Sequence, residues 1–322
     1  MNTSPKNFWR LWWHGFRHRF KDVRGYYLVR HRAAGNSRLT AAMAAARAVW
    51  RPRKTVLFYP ERPAKDAVAY QLCALLGYAI TTNPRRRFEA AVKWLDATFS
   101  DAATLRTIPA ANHLINAASL DISKSTVGKV FAEVFGYPLT INPAEFHGKI
   151  VEKSDQNAAH DGRVLDGPLA PENIRPGCVY QKMIDNAAAP EGLVLDYRLP
   201  VFGGTVPLVF LKYRPLETRF SDVNNFRAEL AAPEAVFSPA ELQKIVLLAR
   251  KMGVDYGELD VLRDKDGRLY VVDVNHTPHG PPKVLAENET KRALEIMAAA
   301  FARLLELKFT GSPSTMSGGQ TV

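Results

Sequence analysis

The stretch Gly257–Pro282, GELDVLRDKDGRLYVVDVNHTPHGPP, constrains this chain more than any other. Two β-type runs rich in Leu, Val and Tyr flank a DKDG turn, and the second breaks off into Asn, His and a Gly/Pro-rich loop. Side chains alternate with period two along a strand, so a two-residue connection puts Asp260, Asp273 and Asn275 on one face. A turn centred on Asp266-Gly267 sets Asp260 directly opposite Asp273. One centred on Lys265-Asp266 makes them diagonal neighbours, and a three-residue loop splits them. Carboxylates that close repel each other and do not both ionise unless a cation joins them. Two carboxylates, an amide oxygen and water are the hard oxygen ligands Mg²⁺ takes, with the remaining positions left to phosphates. The competing reading is the solvent-facing polar side of an edge hairpin. The loop lacks the third acidic ligand and final Glu of an EF-hand, and His276 and His279 have no further ligands at zinc spacing.

The chain of 322 residues is long enough for two or three domains with buried cores. Its two cysteines, Cys73 and Cys178, lie far apart with no Cys or His at metal spacing. That pattern points to a reduced, cytoplasmic protein. No apolar run has the length of a membrane span, and the N-terminus lacks the h-region of a secretory signal. The net charge of +11 is concentrated in residues 1–54, which hold thirteen Lys/Arg against the single acid Asp22. There Trp9, Trp12, Trp13, Phe16 and Phe20 fall on one helical face among Arg10, Arg17, Arg19 and Lys21. That composition suits peripheral contact of residues 8–32 with an anionic membrane, or docking of the aromatic face on protein. No nucleic-acid motif accompanies the basic residues, so nucleic acid ranks last as a partner.

From Thr55 the pattern alternates. TVLFYP reads as a buried strand, PAKDAVAYQLCALLGY as a helix ending near Gly77, and AITTNP as a strand, together a small parallel α/β unit. A short strand and a helix starting at Ser123 or Ser125 and ending at Gly136 follow. After Pro143 the character turns to β. GKIVEKSD and GCVYQKMI read as strands, QNAAHDGRVLDGPL as a mobile polar loop, and LDYRLPVFGGTVPLVFLKYRP as a hairpin turning at Gly203-Gly204. SPAELQKIVLLARKMG carries a capping box of Ser238 and Glu241, Pro239 at the first helical position and Gly253 as its stop. A long closing helix precedes a tail, residues 309–322, of disordered composition.

The order of these pieces resembles the ATP-grasp superfamily over about residues 120–305. The D…D-x-N hairpin followed by a TP loop is similar to that family's metal-binding end, which implies Mg²⁺ at Asp260, Asp273 and Asn275. KIVEKSD resembles the strand bearing the phosphate-binding lysine, here Lys153. NAAHDG, with His160 and Gly162, resembles the loop that closes over the phosphates. VYQKMI is similar to the hinge strand that holds adenine through its backbone, which maps to Gln181, Lys182, Met183 and Ile184. DYRLPVFGG…KYRP resembles the D-x-R…G…R hairpin of amino-acid-adding ATP-grasp ligases, with Asp196, Arg198 and then Lys212 or Arg214 near the phosphates. More loosely, the chain is similar to the branch linked to teichuronopeptide and cell-surface polysaccharide synthesis. Lys182 stands where Glu is usual, and Asp273 replaces the commoner Glu.

The resemblance implies a mixed α/β (α+β) fold. Two ATP-grasp lobes over 121–308, with a hinge near 179–186, would follow a small α/β domain over 55–120. It implies a ligase that uses ATP and Mg²⁺ to activate a carboxylate as an acyl phosphate for attack by an amine. The substrates would be small-molecule or polysaccharide-precursor carboxylates and amines. His276, Thr277 and His279, beside the metal, are then candidates for acceptor contacts. A kinase acting on a hydroxyl and a non-catalytic, membrane-associated nucleotide-binding module are the alternatives. The chain shows no Ser/His/Asp or Cys/His arrangement for a protein nucleophile, which suits direct transfer between substrates.

Overall fold

The computed structural model describes residues 54–108, 114–157, 159, 161–188, 192–218 and 226–310, the side chains of Ala188 and 307–310 aside. The basic arm to 53, His160 and the tail from 311 lie outside the described residues.

Strands β1 (Thr55–Pro60), β2 (Ala79–Thr81), β3 (Ala90–Trp94) and β4 (Leu114–Ile115) form a parallel sheet in the order β2-β1-β3-β4. Val56, Leu57, Phe58 and Val92 are fully buried, as strands covered on both faces require. Helix α1 (Val68–Leu76) links β1 to β2 and ends at Gly77, whose φ of 70° gives the left-handed cap. Helix α2 (Lys124–Phe135) follows, with the Ser123 side chain accepting a hydrogen bond from the Thr126 N–H.

A three-stranded antiparallel sheet comes next, ordered β6-β5-β7, from β5 (Gly148–Ser154), β6 (Arg163–Gly167) and β7 (Cys178–Lys182). Strand β6 lies inside the stretch the sequence marks as a loop. Its side chains are mostly exposed, so no apolar alternation betrays it. At Gly167 a Cβ would meet the Phe146 carbonyl oxygen at 2.3 Å and Ile150 Cδ1 at 2.6 Å, so the residue serves close packing.

The third sheet is antiparallel. It comprises β8 (Ala187–Ala188), β9 (Leu193–Phe202), β10 (Val209–Pro215), β11 (Arg227–Ala231), β12 (Tyr256–Arg263) and β13 (Leu269–Asn275). Its order is β11-β10-β9-β12-β13, with β8 added on β9. Helices α3 (Pro233–Val236), α4 (Pro239–Lys251) and α5 (Glu287–Thr310) complete the chain, and α4 carries the expected capping box. One face of the sheet, with Leu199, Val201, Leu259, Val261, Val271 and Val274, is covered by α2 and α4 in a single core. At one end of the opposite face, Phe202, Phe210 and Tyr256 join a second core with α1, α5 and the parallel sheet. The remainder of that face is polar.

The β12–β13 hairpin reaches its register in two steps. Arg263 pairs with Leu269, Asp264 N–H donates to Arg268 O at 2.9 Å, and Lys265, Asp266 and Gly267 form a three-residue connection. Such a loop would split the acidic pair. A β-bulge then leaves Val272 unpaired, so Val261 faces Val271 while Asp260 faces Asp273. The extra residue also lets Val271 and Val274, an odd number apart, both reach the core.

Candidate functional site

Rows of paired residues cross the polar face of the six-stranded sheet. Arg198 on β9 lies opposite Asp260 on β12, which lies opposite Asp273 on β13. The neighbouring rows hold Lys212 opposite Asp196, and Glu258 opposite Asn275. Arg198 grips Asp260 with both arms, Nε to Oδ1 at 2.9 Å and Nη2 to Oδ2 at 3.0 Å. Lys212 Nζ is 3.8 Å from the same Asp260 Oδ1 and is 2% exposed. Arg214, two residues along β10, turns to Asp196 at 3.4 Å. Lys212 therefore faces the acidic pair and Arg214 stands one row away.

Burial alone would raise the Asp260 pKa, but Arg198 and Lys212 hold it well below the usual carboxylate range. Asp273 is raised, by burial first and then by the Asp260 charge, with Lys124 and Lys153 acting in the opposite sense. Asp273 Oδ1 is buried without a hydrogen-bond partner among the described residues. Burial pushes Glu258 up to about 7. Burial above all lowers Lys212.

Lysines of the other elements close over this face. Lys153 on β5 donates to Gln181 Oε1 on β7 at 3.3 Å, and the buried Gln181 Nε2 has no partner among the described residues. Lys124, at the start of α2, donates to the carbonyl of Gln156. The Asp155 carboxylate accepts from Ser125 N–H and Oγ–H, both at 2.8 Å, and Asn157 N–H donates to Thr98 Oγ1 at 2.8 Å. The start of the loop leading to Gly162 is thus pinned to the N-terminus of α2, and Asp161 Oδ1 accepts from Ser154 N–H at 3.1 Å.

The hinge segment spends much of its backbone inside the fold. Lys182 N–H bonds Leu139 O at 3.2 Å and Met183 N–H bonds Lys149 O at 2.9 Å, while Ile184 is buried. A base held here would use other backbone groups of 181–184 than those two N–H donors. The Lys182 side chain turns away to Tyr270, donating to its hydroxyl and lying 4.3 Å from the ring centroid.

Of the three candidates for acceptor contacts in the loop after Asn275, two are packed inside the fold. His276 is 1% exposed, with Nε2 donating to Leu95 O at 3.0 Å and Nδ1 3.0 Å from Ser119 Oγ. Burial, and Lys93 beside it, push His276 down to about 4, so the ring is neutral and Nδ1 accepts from Ser119. Thr277 is buried and its hydroxyl lies 3.3 Å from Asp96 Oδ1. Both side chains join this loop to the residues that follow β3, and the Thr277 hydroxyl also lies 3.2 Å from Asn275 Oδ1. His279 alone of the three is exposed, 3.4 Å from Asp66. Asn116 makes the same kind of joint, accepting from Asp255 N–H at 2.9 Å and Tyr256 N–H at 2.8 Å.

The donor set fits a divalent cation in part by itself and fully with a phosphate ligand. Among the described residues no three His, Cys, Asp or Glu side chains converge to hold a metal alone. Asp273 offers an unsatisfied buried oxygen to a cation, opposite a second carboxylate. Asn275 Oδ1 already accepts from Thr277 N–H at 2.8 Å, an Asx turn that fixes its oxygen in place. Lys124 and Glu258 belong to this site and escaped the sequence reading. Lys124 sits between the two serines recognised as the helix start, and Glu258 belongs to the same alternation as Asp260.

No family model and no curated protein matches the sequence. Solved structures match the fold. One is the ATP-grasp ligase PsnB complexed with a phosphomimetic variant of a minimal precursor, Mg and ADP. It is 13% identical with a TM-score of 0.50, over 80% of this chain and 99% of that one. The same ligase with precursor peptide PsnA2 and AMPPNP is 15% identical with a TM-score of 0.50, over 78% and 96%. The VanG D-Ala:D-Ser ligase from Enterococcus faecalis is 10% identical with a TM-score of 0.51, over 79% and 100%.

Proposed function

We propose, from the premise that this chain has the ATP-grasp fold, that it is a Mg²⁺·ATP-dependent ligase. It activates a carboxylate as an acyl phosphate, and an amine then displaces the phosphate. The observation that carries the reading is the row Arg198–Asp260–Asp273, faced by Lys212, Lys124 and Lys153: paired carboxylates for a cation inside a ring of phosphate-seeking cations.

Asp260, Asp273 and Asn275 would hold Mg²⁺, which when bound would supply positive charge against the phosphates. Arg198, with its planar fork, and Lys212, Lys124 and Lys153, as point charges, would draw and orient the triphosphate. The hinge 181–184 would seat the base. The loop around Gly162, fixed at its start by Asp155 on α2, would cover the phosphates and exclude water from the acyl phosphate. The parallel sheet, docked through Asn116, His276 and Thr277, would place the carboxyl ends of its strands beside the acidic row, where α/β sheets receive their ligands. That the substrates belong to cell-surface polysaccharide assembly, and that residues 8–32 touch an anionic membrane, rests on the sequence alone. No helix among the described residues is long and apolar enough to cross a membrane.

Thermal stabilisation by Mg²⁺·ATP tests the site, because a ligand bound only by the folded form raises apparent stability with its excess over Kd. A magnesium-dependent shift, weakened in Asp273→Asn and Lys153→Ala, is expected. Absence of any shift at millimolar nucleotide would remove the centre of the reading. Release of phosphate that depends on both a carboxylate and an amine, with an acyl phosphate trapped by hydroxylamine, separates a ligase from a kinase.

A further inference from the structure

Arg198 is shared unequally between two carboxylates. Its Nε lies 2.9 Å from Asp260 Oδ1 and 3.7 Å from Glu258 Oε2, so the second contact is only 0.8 Å longer. Positions 258 and 260 project from the same face of β12. Glu258 is 4% exposed, and its Oε2 receives no hydrogen bond among the described residues. A buried carboxylate oxygen without a donor is costly unless another state of the protein satisfies it. Asp260 has the opposite problem: both its oxygens are engaged by the cation with which a metal would have to compete. For Lys212 the second carboxylate is Asp196 opposite it, whose charge also favours the ammonium but which is already bonded to Asn186 at 3.0 Å and paired with Arg214 at 3.4 Å.

We propose that Glu258 is a positioning residue that receives the Arg198 guanidinium when a divalent cation engages Asp260 and Asp273. The handover rests on the ligase reading, because it takes that pair as the cation's seat. It explains why an acid outside the cation pair stands beside Arg198 with an oxygen unsatisfied. Cation binding would otherwise leave the half-buried Arg198 beside a like charge. With Glu258 it keeps a counter-charge and stays beside the phosphate site. The change is a short swing of one side chain and moves no strand.

Binding of Mn²⁺ alone to the full chain, read as the loss of the free-ion EPR signal, tests the handover. Glu258→Gln keeps the shape and removes the charge. Glu258→Asp keeps the charge and falls one methylene short of Arg198. Both are expected to weaken Mn²⁺ by about tenfold. In an Arg198→Met background, Glu258→Gln is expected to change Mn²⁺ affinity less than about twofold, since no guanidinium is left to hand over. Glu258→Asp binding like wild type would overturn the proposal, because the field of a nearby charge would then suffice. An equal loss from Glu258→Gln in both backgrounds would overturn it too. If Arg198→Met does not fold, the Asp and Gln comparison in the wild-type background still decides. Mn²⁺ binding that is lost in Asp273→Asn but indifferent to residue 258 leaves the ligase site standing and refutes only the handover. No Mn²⁺ binding by wild type in the absence of nucleotide overturns the handover and leaves the ligase reading to the Mg²⁺·ATP shift, since the site is completed by phosphate.

Discussion

Asp260 and Asp273 stand directly opposite each other across the β12–β13 ladder, yet Arg198 holds Asp260 at 2.9 and 3.0 Å while Asp273 Oδ1 has no hydrogen-bond partner among the described residues. Without a cation the pair is a site of strain, since burial and the Asp260 charge both oppose ionisation of Asp273. Asp273→Asn removes the like charge, and its amide can donate to Asp260. The variant is therefore expected to be more stable than wild type by about 1 kcal/mol without ligand, and to lose the Mg²⁺·ATP-dependent shift. Urea unfolding with and without nucleotide measures both. A variant less stable than wild type, with its nucleotide response intact, would show that Asp273 is structural.

Lys93 is a buried cation that forms no ion pair among the described residues. It is 1% exposed and donates to Ser100 Oγ at 2.7 Å and to the Ser119 carbonyl. Burial lowers its pKa from 10.5 to about 8. Below pH 8 it is charged in folded and unfolded chains alike, and stability does not respond to it. As pH rises from about 8 towards 10.5 the folded state releases the proton first, the unfolded state binds more protons, and stability rises. Lys93→Met is expected to flatten that rise, worth up to about 3 kcal/mol, in unfolding curves between pH 7 and 10. A parallel pH dependence in the two proteins would show that the lysine titrates normally.

Much of this architecture is legible in the sequence, because it is written in local rules. The α4 capping box, the glycine turn at 203–204 and the period-two alternation of β12 each follow from a few adjacent residues. What is not legible depends on distant partners. The polar strand β6 exists because β5 pairs with it, and Arg163 reaches Glu152 from it. The facing of Asp260 and Asp273 comes from a bulge at Val272 that compensates for a three-residue loop, and no glycine or proline in β13 marks that bulge. His276 and Thr277 look like site residues because they follow Asn275. Their burial against Leu95, Ser119 and Asp96 depends on a sheet formed far earlier in the chain.

Glu152 is the electrostatic anchor of the three-stranded sheet that carries Lys153. The Arg163 hydrogen bond lowers its pKa most, against the opposing effect of burial, with Arg175 and Tyr180 adding to the fall, to about 2. Its folded pKa lies below the unfolded value, so its contribution is complete above about pH 4.5 and is lost as pH falls towards 2. Glu152→Gln is expected to cost about 1–3 kcal/mol at pH 7 and nothing at pH 2. Acid titration of stability for both proteins would reveal a gap that closes on acidification. A gap constant with pH would assign the loss to packing.

Gly77 and Gly253 test how far a helix stop reflects conformation alone. Both adopt the left-handed region, with φ of 70° and 69°. Around Gly77 a Cβ would meet nothing within 4 Å, whereas at Gly253 it would lie 2.4 Å from the Ala118 carbonyl carbon and 2.5 Å from its oxygen. Gly77→Ala should cost only the backbone strain, about 1 kcal/mol. Gly253→Ala must also push α4 from the backbone of Ala118, next to the Ser119 that bonds His276, and should cost at least about 2 kcal/mol more. The excess should appear as a lower urea midpoint and as a weaker Mg²⁺·ATP shift, because Ala118 lies in the joint between the parallel sheet and the acidic row. Equal losses for the two alanine variants would mean that the chain at Ala118 yields freely, and that this joint does not fix the geometry of the site.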